Sequence, residues 1–442
     1  MILGLSEKNI SKKKTFSVSK NEKQSIALIQ IGTFLEYFDL YLYIHMAVVL
    51  NTVFFPKTDP YTSSLLAAFT FSSTFLLRPL GALIFGYIGD NISRKASVVI
   101  TTLIMAGCSL VIASTPSYEQ IGIYSSIILI VCRMLQGISS VGEITGARIY
   151  ICEITKPPHS YFYVELVNFC AVLGGFFALL IGSFFLFANA ENGWRTAFYF
   201  GSAIAVVGSI ARTKLRETPE FIQAKTKIKS KLKMNYLLRP KVENRKNFLY
   251  YLAIESINPI TFYFSFVYLS EILMTKFQFT PQEVLYNNTF VAFIQLIAIF
   301  VCARLAMYIY PLKILRFRLL VLSAFLLIML FGYQYIQNPI QIFMFQCVIS
   351  TLGGDSKPAQ PLFIKSFPVI GRYTQTALAF AMSRTFMYII TAYACVFIGK
   401  YFGVQGVMLG FIFFTIIAIY SAFSFKEKID SDAGIAVKID NH

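Results

Sequence analysis

The sequence predicts an all-α polytopic membrane protein whose twelve transmembrane helices form two six-helix halves. Of its 442 residues, 56% are hydrophobic and only 14% are charged, whereas soluble domains carry about 25% charged residues. The apolar residues form blocks of roughly twenty, the helix length that crosses a hydrocarbon layer about 30 Å thick. One long polar segment, 213–246, has six such blocks on either side. This composition excludes a soluble globular enzyme.

The predicted spans are separated by short polar breaks. The N-terminal half, 24–212, and the C-terminal half, 247–425, each hold six of them, and the basic segment 213–246 links the halves. Residues 1–23 and 426–442 are the predicted tails. The spans are 24–52, 62–88, 96–114, 119–149, 161–187 and 194–212, then 247–275, 281–307, 316–336, 340–364, 372–398 and 402–425.

The basic residues predict the orientation. Of the 39 Lys and Arg residues, 29 fall on the side of the tails and linker and four in the loops of the other side. The positive-inside rule therefore places both termini in the cytoplasm. The net charge of +17 then indicates contact with anionic lipid rather than with nucleic acid. Trp194, the only tryptophan, is predicted to anchor the outer interface.

Ionisable side chains within spans are costly and usually serve function. Glu36 and Asp39 share one face of span one, with Tyr43 one turn further along. Two carboxylates this close repel when both are ionised, which makes a proton carrier plausible. The alternative, equally weighted, is that each acid pairs with a basic residue elsewhere in the bundle.

Span four carries a polar stripe on an otherwise apolar helix, with Arg133, Gln136, Ser140 and Glu143 at steps of three, four and three. Such a stripe predicts a cavity lining, in which Arg133 holds a substrate carboxylate or modulates a neighbouring acid. The less favoured alternative is a structural Arg–Glu pair across two helices.

Span seven carries Glu255 and Asn258, followed by Pro259. The proline removes a backbone hydrogen bond and predicts a kink beside these polar groups. A kinked helix in a bundle forms a gate or serves packing alone.

Nucleotide-driven pumping and catalysis lack sequence support. There is no G-x-x-x-x-G-K-[ST] loop, no G-x-S-x-G and no H-E-x-x-H, so neither an ATPase nor an enzyme is expected. The seven cysteines form no C-x-x-C, and no metal or cofactor is predicted. Composition alone does not separate a channel from a carrier.

Several motifs resemble the major facilitator superfamily and, within it, the metabolite:proton symporter family. Gly86-Tyr87-Ile88-Gly89-Asp90-Asn91-Ile92-Ser93-Arg94-Lys95 is similar to the superfamily's G-x-x-x-D-R-x-G-R-[RK] loop between spans two and three. The further matches are Glu36-Tyr37-Phe38-Asp39, Arg78-Pro79-Leu80-Gly81, Arg133 with Gln136-Gly137, Gly142-Glu143 with Thr145-Gly146-Ala147, Gly193-Trp194-Arg195 and Glu217-Thr218-Pro219-Glu220-Phe221. The set covers about residues 26–221 and is most similar to the family's proline/betaine transporters.

The resemblance implies two halves that rock around a central site, in a bacterial inner membrane and as a monomer. It implies proton-coupled import of a small metabolite or osmolyte, with proline or a betaine first and a dicarboxylate-type organic acid as the alternative. Tyr37, Phe38, Tyr43 and Phe262 are candidates to enclose a quaternary ammonium group, although packing against lipid is the simpler interpretation. The implied cytoplasmic gating network comprises Gly86, Gly89, Asp90, Arg94, Lys95, Glu153, Glu217, Lys365 and Arg372.

The sequence departs from the family pattern mainly in its second half. Lys365 stands where the family usually has a glutamate, and Arg372 and the cations of 313–318 are nearby. Repulsion among these groups predicts a loosened inner seal and a bias towards the inward-open state. Asn91 and Ser93 replace the basic residue and the glycine of the loop motif. The divergence leaves open a non-transporting sensor derived from the same fold.

Overall fold

The computed structural model of the protein describes residues 19–56, 75–188, 193–227, 242–353 and 357–426. These ranges contain helices and connecting turns but no strand. Most of both predicted tails and the central part of the basic linker lie outside the described residues. We number the helical segments α1 to α12 in chain order.

The first six helices lie in ranges that exclude 57–74, where the first part of the predicted second span falls, and 189–192. Their bounds are α1 Lys20–Phe54, α2 Arg78–Tyr87, α3 Arg94–Ser114, α4 Ile123–Ile154, α5 His159–Ala188 and α6 Gly193–Arg212. A π-helical turn, Ile88–Ile92, continues α2. Ser93 then caps α3, because its hydroxyl accepts a hydrogen bond from the backbone N–H of Ala96 at 3.0 Å. The departure at Ser93 from the motif's glycine thus supplies a helix cap. A short helix, Pro219–Lys227, follows α6.

The second six helices contain more interruptions. Their bounds are α7 Val242–Glu255 with its continuations Ile257–Tyr263, Phe264–Tyr268 and Leu269–Phe277, α8 Pro281–Leu305, α9 Pro311–Gly332, α10 Pro339–Leu352, and α11 and α12 within Arg372–Ser424, divided at Gly403. Gly403 has φ 63° and ψ −165°, a conformation open to glycine and strained for other residues. A short helix, Gln360–Lys365, lies between α10 and α11.

Helix α8 begins with a capping box. The backbone and hydroxyl of Thr280 hydrogen-bond the Glu283 carboxylate, and these bonds lower the pKa of Glu283. An anion in the first turn also suits the helix dipole. The start of α8 is therefore fixed locally by its own sequence.

Helix α7 breaks at Ser256, three residues before Pro259. A proline has no N–H for the carbonyl four residues earlier, here that of Glu255. This carbonyl instead accepts a hydrogen bond from Arg384 Nη1 of α11 at 2.6 Å. The interruption predicted from Pro259 therefore frees the backbone carbonyl of Glu255 to accept a hydrogen bond from Arg384 of α11.

Eight helical segments in the described ranges are long and apolar enough to cross a membrane, and α10 is apolar but shorter. The protein is a multi-pass membrane protein. Its sole tryptophan, Trp194, is buried against Phe54 with the ring centroids 5.4 Å apart. It packs inside the bundle rather than at the predicted outer interface.

Three clusters of buried apolar side chains hold the helices together. One is built from α7 to α12 and includes Leu322 and Phe411. A second, which includes Trp194, belongs to the first six helices. The third joins Ala147 of α4 to Phe380 of α11. Polar side chains beside this third cluster therefore lie where the first six helices meet α11.

Candidate functional site

A buried polar cluster surrounds Asp39 of α1; we call Asp39, Tyr43, Ser109, Arg133 and Gln136 the Asp39 cluster. The Ser109 hydroxyl donates a hydrogen bond to Asp39 Oδ1. Gln136 Nε2 donates to Asp39 Oδ2 at 2.7 Å, and Arg133 Nη1 donates to Gln136 Oε1 at 2.6 Å. Gln136 therefore separates the acid from the guanidinium.

Arg133 is almost fully buried, yet none of the ion pairs of the described residues includes it. Its Cζ lies 3.6 Å from the centroid of the Tyr43 ring, a cation–π contact. The arrangement holds the guanidinium in place without neutralising it.

Glu143 and Arg133 both lie on the polar stripe of α4, but they have different hydrogen-bond partners. Its partner is Arg212 at the end of α6, which donates to Glu143 Oε1 through Nη1. Thr101 and Thr102 each donate to Glu143 Oε2 at 2.8 Å. The cross-helix Arg–Glu pair considered from the sequence thus occurs, but with Arg212 as its cation.

The Arg212 guanidinium lies directly against the backbone of α1, in the space left by the missing side chain of Gly32. Arg212 Nη2 donates to the backbone carbonyl of Ile29 at 2.9 Å. A Cβ on Gly32 would lie 1.7 Å from the Arg212 guanidinium, so no larger residue fits there without displacing it. In the sequence, Arg212 counts only as one of the basic residues on the side of the tails and linker, and no pattern predicts its contact with Glu143.

Glu36 is buried and has no hydrogen-bond partner for either carboxylate oxygen. It is one helical turn from Asp39, but the two carboxylates do not share a partner. The cations that act on it electrostatically are Arg212, Arg78 and Arg148. An unpaired ionised carboxylate in such a place costs several kcal/mol. Protonation or pairing relieves that cost, so this acid is suited to binding and releasing a proton.

Aromatic rings connect the first helices to the last ones; we call Tyr37, Tyr41, Phe75, Phe262 and Tyr388 the aromatic belt. The ring centroids of Tyr37 and Tyr41 are 6.2 Å apart, and those of Tyr41 and Phe262 are 6.4 Å apart. Tyr388 lies 6.1 Å from Phe262 and 4.6 Å from Phe75. The belt therefore spans α1, α7, α11 and the residues just before α2.

Two of the four candidate aromatic residues lie in the belt and two do not. Tyr37 and Phe262 are members. Phe38 instead packs against Phe34 and Phe200, inside the first six helices. Tyr43 lies beneath Arg133.

Glu255 and Asn258 of α7 point into different surroundings. The Glu255 carboxylate pairs with Arg384 of α11, with 3.4 Å between Oε2 and Nη2. Asn258 lines a small polar pocket between α5 and α7 to α10, together with Glu165, Gln295, Arg318 and Ser350. The structure therefore joins Glu255 to α11 and places Asn258 in a separate pocket.

A second polar group joins α2 to the start of α11. Asp90, in the π turn, pairs with Arg94 at 2.7 Å. The Asp90 carboxylate also accepts hydrogen bonds from the backbone N–H groups of Tyr373, at 3.1 Å, and Thr374, at 2.9 Å. We call these residues, together with Glu153, Glu217, Glu220, Lys365 and Arg372, the Asp90 network.

Glu153 lies at the centre of the Asp90 network. Arg94 and Arg372 both reach Glu153 Oε1, at 3.2 and 3.3 Å. Arg372 also pairs with Glu220 at 2.9 Å, and Glu217 accepts a hydrogen bond from the backbone N–H of Arg94 at 3.1 Å. Acids of the first six helices and their flanking short helix thus bind the start of α11.

Gly86 and Gly89 let α11 approach. A Cβ on Gly89 would lie 2.3 Å from the Tyr373 ring, and one on Gly86 would lie 2.7 Å from Thr374 Oγ1. Of the residues expected in a gating network, Lys95 forms none of the ion pairs of the described ranges. The contacts of Glu220, Tyr373 and Thr374 in the Asp90 network were not predicted from the sequence.

Lys365 has an acidic partner. Its Nζ lies 3.6 Å from Glu220 Oε1, and both side chains are partly exposed. Arg316 and Arg318 bind backbone carbonyls of Ala422, Thr351 and Lys357 rather than facing Lys365. The premise of an inner seal loosened by like charges does not hold, because Glu220 lies between Lys365 and Arg372.

Within the described ranges, no group of three or more His, Cys, Asp or Glu residues is placed to hold a metal ion. The polar side chains of the Asp39 cluster and the Asp90 network are carboxylates, guanidinium groups, an ammonium group, an amide, hydroxyls and phenols. Such groups bind carboxylates and ammonium groups and carry protons.

Residues 25–241 match the family described as "Sugar (and other) transporter". The proline/betaine transporter of Escherichia coli K12 is 37% identical over 206 residues, which are 46% of this chain and 41% of that protein. A glycine betaine/proline/ectoine/pipecolic acid transporter of Dickeya dadantii is 35% identical over 208 residues, with the same two shares. A citrate-proton symporter of Klebsiella pneumoniae is 33% identical over 203 residues, 45% of this chain and 46% of that protein. The chain therefore matches less than half the length of these relatives.

Solved structures match over nearly the whole chain. The proton:xylose symporter XylE, described as a major facilitator superfamily protein, superposes with a TM-score of 0.76 at 13% identity and covers 92% of this chain and 95% of its own. FucP in its outward conformation has a TM-score of 0.73 at 13% identity, covering 91% and 99%. At this identity the likeness concerns the fold. All of these proteins are named as transporters, which supports the expectation that the chain is not an enzyme.

Proposed function

We propose that the protein is a proton-coupled secondary transporter. The proposal starts from the major facilitator fold of the chain, which was predicted, and from the similarity of its first half to sugar and other transporters. The protein imports a small metabolite or osmolyte, with proline or a betaine as the first candidate. Alternating access moves the halves 24–212 and 247–425 against each other around the aromatic belt. The chain acts as a monomer in a bacterial inner membrane, with both termini in the cytoplasm.

One observation carries the proton coupling: the Glu36 carboxylate is buried and unpaired. An acid in this position is stable when protonated and costly when ionised without a partner. Asp39, one turn away, is fully hydrogen-bonded by Ser109 and Gln136. We therefore assign the transported proton to Glu36 and assign to Asp39 the role of holding Gln136 and, through it, Arg133.

The substrate assignment is supported by chemistry that the relatives have in common. Proline, betaines, ectoine and pipecolic acid, named for two of these relatives, are small carboxylates that carry a positive charge on or delocalised over nitrogen. Aromatic rings beside guanidinium groups are suited to such molecules. Citrate, named for another relative, is a carboxylate without a cation, so an organic acid remains the second candidate.

The Asp90 network supplies a gate on the predicted cytoplasmic side. Its ion pairs join acids of the first half to Arg372 and Lys365 of the second. These contacts must separate before a substrate leaves on that side. Breakable contacts between the halves are needed for transport, whereas a sensor that does not transport has no need of them, so the Asp90 network favours the transporter.

Uptake into proteoliposomes tests the proposal. Purified protein is reconstituted and supplied with radiolabelled L-proline, glycine betaine or citrate, with and without an inward proton gradient. We expect proline or betaine to accumulate above its external concentration under the gradient, and a protonophore to abolish the accumulation. Gradient-driven uptake of citrate alone selects the organic-acid alternative. Binding without uptake of any of the three selects the sensor.

A further inference from the structure

Among the described residues, Arg78 of α2 differs from the other buried arginines because no hydrogen bond or ion pair joins its side chain to a polar group. Arg94, Arg212, Arg372 and Arg384 each pair with a carboxylate, and Arg133 and Arg148 donate to side-chain amides. Arg78 is only 6% exposed. Its Nε has no hydrogen-bond partner, and none of the ion pairs in the described ranges includes it.

The surroundings of Arg78 are aromatic. Its Cζ lies 4.4 Å from the centroid of the Phe75 ring, at one end of the aromatic belt. Its electrostatic neighbours are Tyr37, Tyr388, Arg384 and Glu36. The backbone carbonyl of Phe75 accepts a hydrogen bond from the Thr385 hydroxyl of α11 at 2.9 Å, which ties this end of the belt to the second half.

No acid of the described ranges is in contact with Arg78. Arg384 is paired with Glu255, whereas Glu36, the acid that acts on Arg78 at longer range, forms no ion pair with it. A buried guanidinium with free donors is costly unless a ligand supplies an anion. A carboxylate is the anion that the planar donors of a guanidinium match in pairs.

We propose that Arg78 binds the carboxylate of the transported molecule, whose remaining part lies against the aromatic belt. A cationic nitrogen on the same molecule is then held by the faces of Tyr37, Phe262 or Tyr388. The site lies between the halves, so its two ends move apart when the halves rock. The inference deepens the proposed transport function, on which its substrate rests, and it adds a residue that sequence analysis quoted only as part of a motif.

A pair of probes isolates the carboxylate. Glycine betaine and choline share a trimethylammonium group, but choline has a hydroxymethyl group in place of the carboxylate. We expect Arg78→Gln to weaken glycine betaine binding to the detergent-purified protein about ten- to a hundredfold while choline binding is unchanged. Arg78→Lys, which retains the charge but not the paired donors, should lie between. Arg304→Gln, which removes an exposed arginine of α8, is the matched control and should bind both probes as the original protein does.

Chemical protection gives a readout that does not depend on folding of a variant. Phenylglyoxal modifies guanidinium groups that become accessible when the halves move apart, and peptide mass spectrometry reports the modified fraction of Arg78, which should rise with time in the absence of ligand. We expect glycine betaine, L-proline or citrate to protect Arg78 in the original protein, and choline at equal concentration not to. If none of the three carboxylates protects it, or if Arg78→Gln binds glycine betaine at the original affinity, the inference is overturned. Protection without uptake into proteoliposomes refutes transport alone, and gradient-driven uptake without protection refutes the Arg78 site alone.

Discussion

The carboxylate of Asp90 accepts a hydrogen bond from the backbone N–H of Thr374 at 2.9 Å, and a second from the Thr374 hydroxyl at 2.7 Å. Thr374 lies in the first turn of α11, whose own N-cap residue, Gly371, has no side chain to cap the helix. Asp90 therefore caps α11 from the opposite half of the protein. An anion at this position also interacts favourably with the helix dipole. The contact between the two halves and the cap of α11 are therefore made by the same carboxylate.

Replacing Asp90 should open the predicted cytoplasmic side. Asp90→Ala removes the cap of α11, a loss of about 0.5–2 kcal/mol, so the open population rises roughly two- to thirtyfold. Arg94 keeps Glu153 as an ion-pair partner. Cys152 is fully buried beside the gate and serves as the reporter. Its rate of maleimide labelling, read by mass spectrometry, should rise in Asp90→Ala. Asn91→Ala is the control, because within the described ranges the Asn91 side chain donates only to the backbone carbonyl of Tyr87, in its own turn. Equal Cys152 labelling in both variants would refute the proposed gate.

A methyl group at position 89 should force the same interface apart. In Gly89→Ala the new Cβ would overlap the Tyr373 ring, and such overpacking typically costs about 1–3 kcal/mol. Gly107→Ala is the control, since a Cβ there meets nothing within 4 Å. We expect faster Cys152 labelling and a lower unfolding temperature for Gly89→Ala only. A Gly89→Ala protein that keeps the stability and labelling of the Gly107→Ala protein would show that α11 does not pack as described.

The sequence predicted the fold class and the local part of the gate. Asp90 and Arg94 are four residues apart in one motif, so their pairing follows from local spacing. The contacts of Glu220 and Tyr373 depend on where α11 meets the first half, more than 150 residues further along the chain, and no periodicity encodes that. In α4 the spacing identified a polar stripe correctly, but it could not assign Arg212, rather than Arg133, to Glu143.

Lys365→Glu should weaken the gate, the opposite of what the charge pattern alone suggests. Lys365 contacts Glu220 across partly exposed surface, where a single pair is worth about 0–1 kcal/mol. The new glutamate would repel Glu220 and increase Cys152 labelling up to about fivefold. The double variant Lys365→Glu with Glu220→Lys restores opposite charges at that pair, but it also removes the acid that binds Arg372. Recovery should therefore be partial, whereas slower labelling in Lys365→Glu alone would contradict the Glu220 contact.

The buried pair of Glu143 and Arg212 should matter for stability rather than for substrate affinity. Arg212→Gln strands an ionised Glu143 at a cost of about 3–5 kcal/mol. We expect little folded Arg212→Gln protein in the membrane and partial recovery when Glu143→Gln is added, because the stranded charge is then removed. Arg133→Gln, whose arginine contacts a neutral amide and a ring, should fold and bind substrate weakly. Membrane protein level and thermal unfolding in detergent separate the variants; a normal level of Arg212→Gln would contradict a structural pair.

The role of Glu36 is tested most directly by comparing accumulation with exchange in the Glu36→Gln variant. A neutral amide in place of the unpaired carboxylate mimics its protonated form, so the halves can still move with substrate bound, but no proton is released. Proteoliposomes with an imposed pH gradient should fail to concentrate labelled substrate. The same proteoliposomes, preloaded with unlabelled substrate, should still exchange it for label. Accumulation by Glu36→Gln at the original level, driven by the same gradient, would contradict the assignment of the transported proton to Glu36.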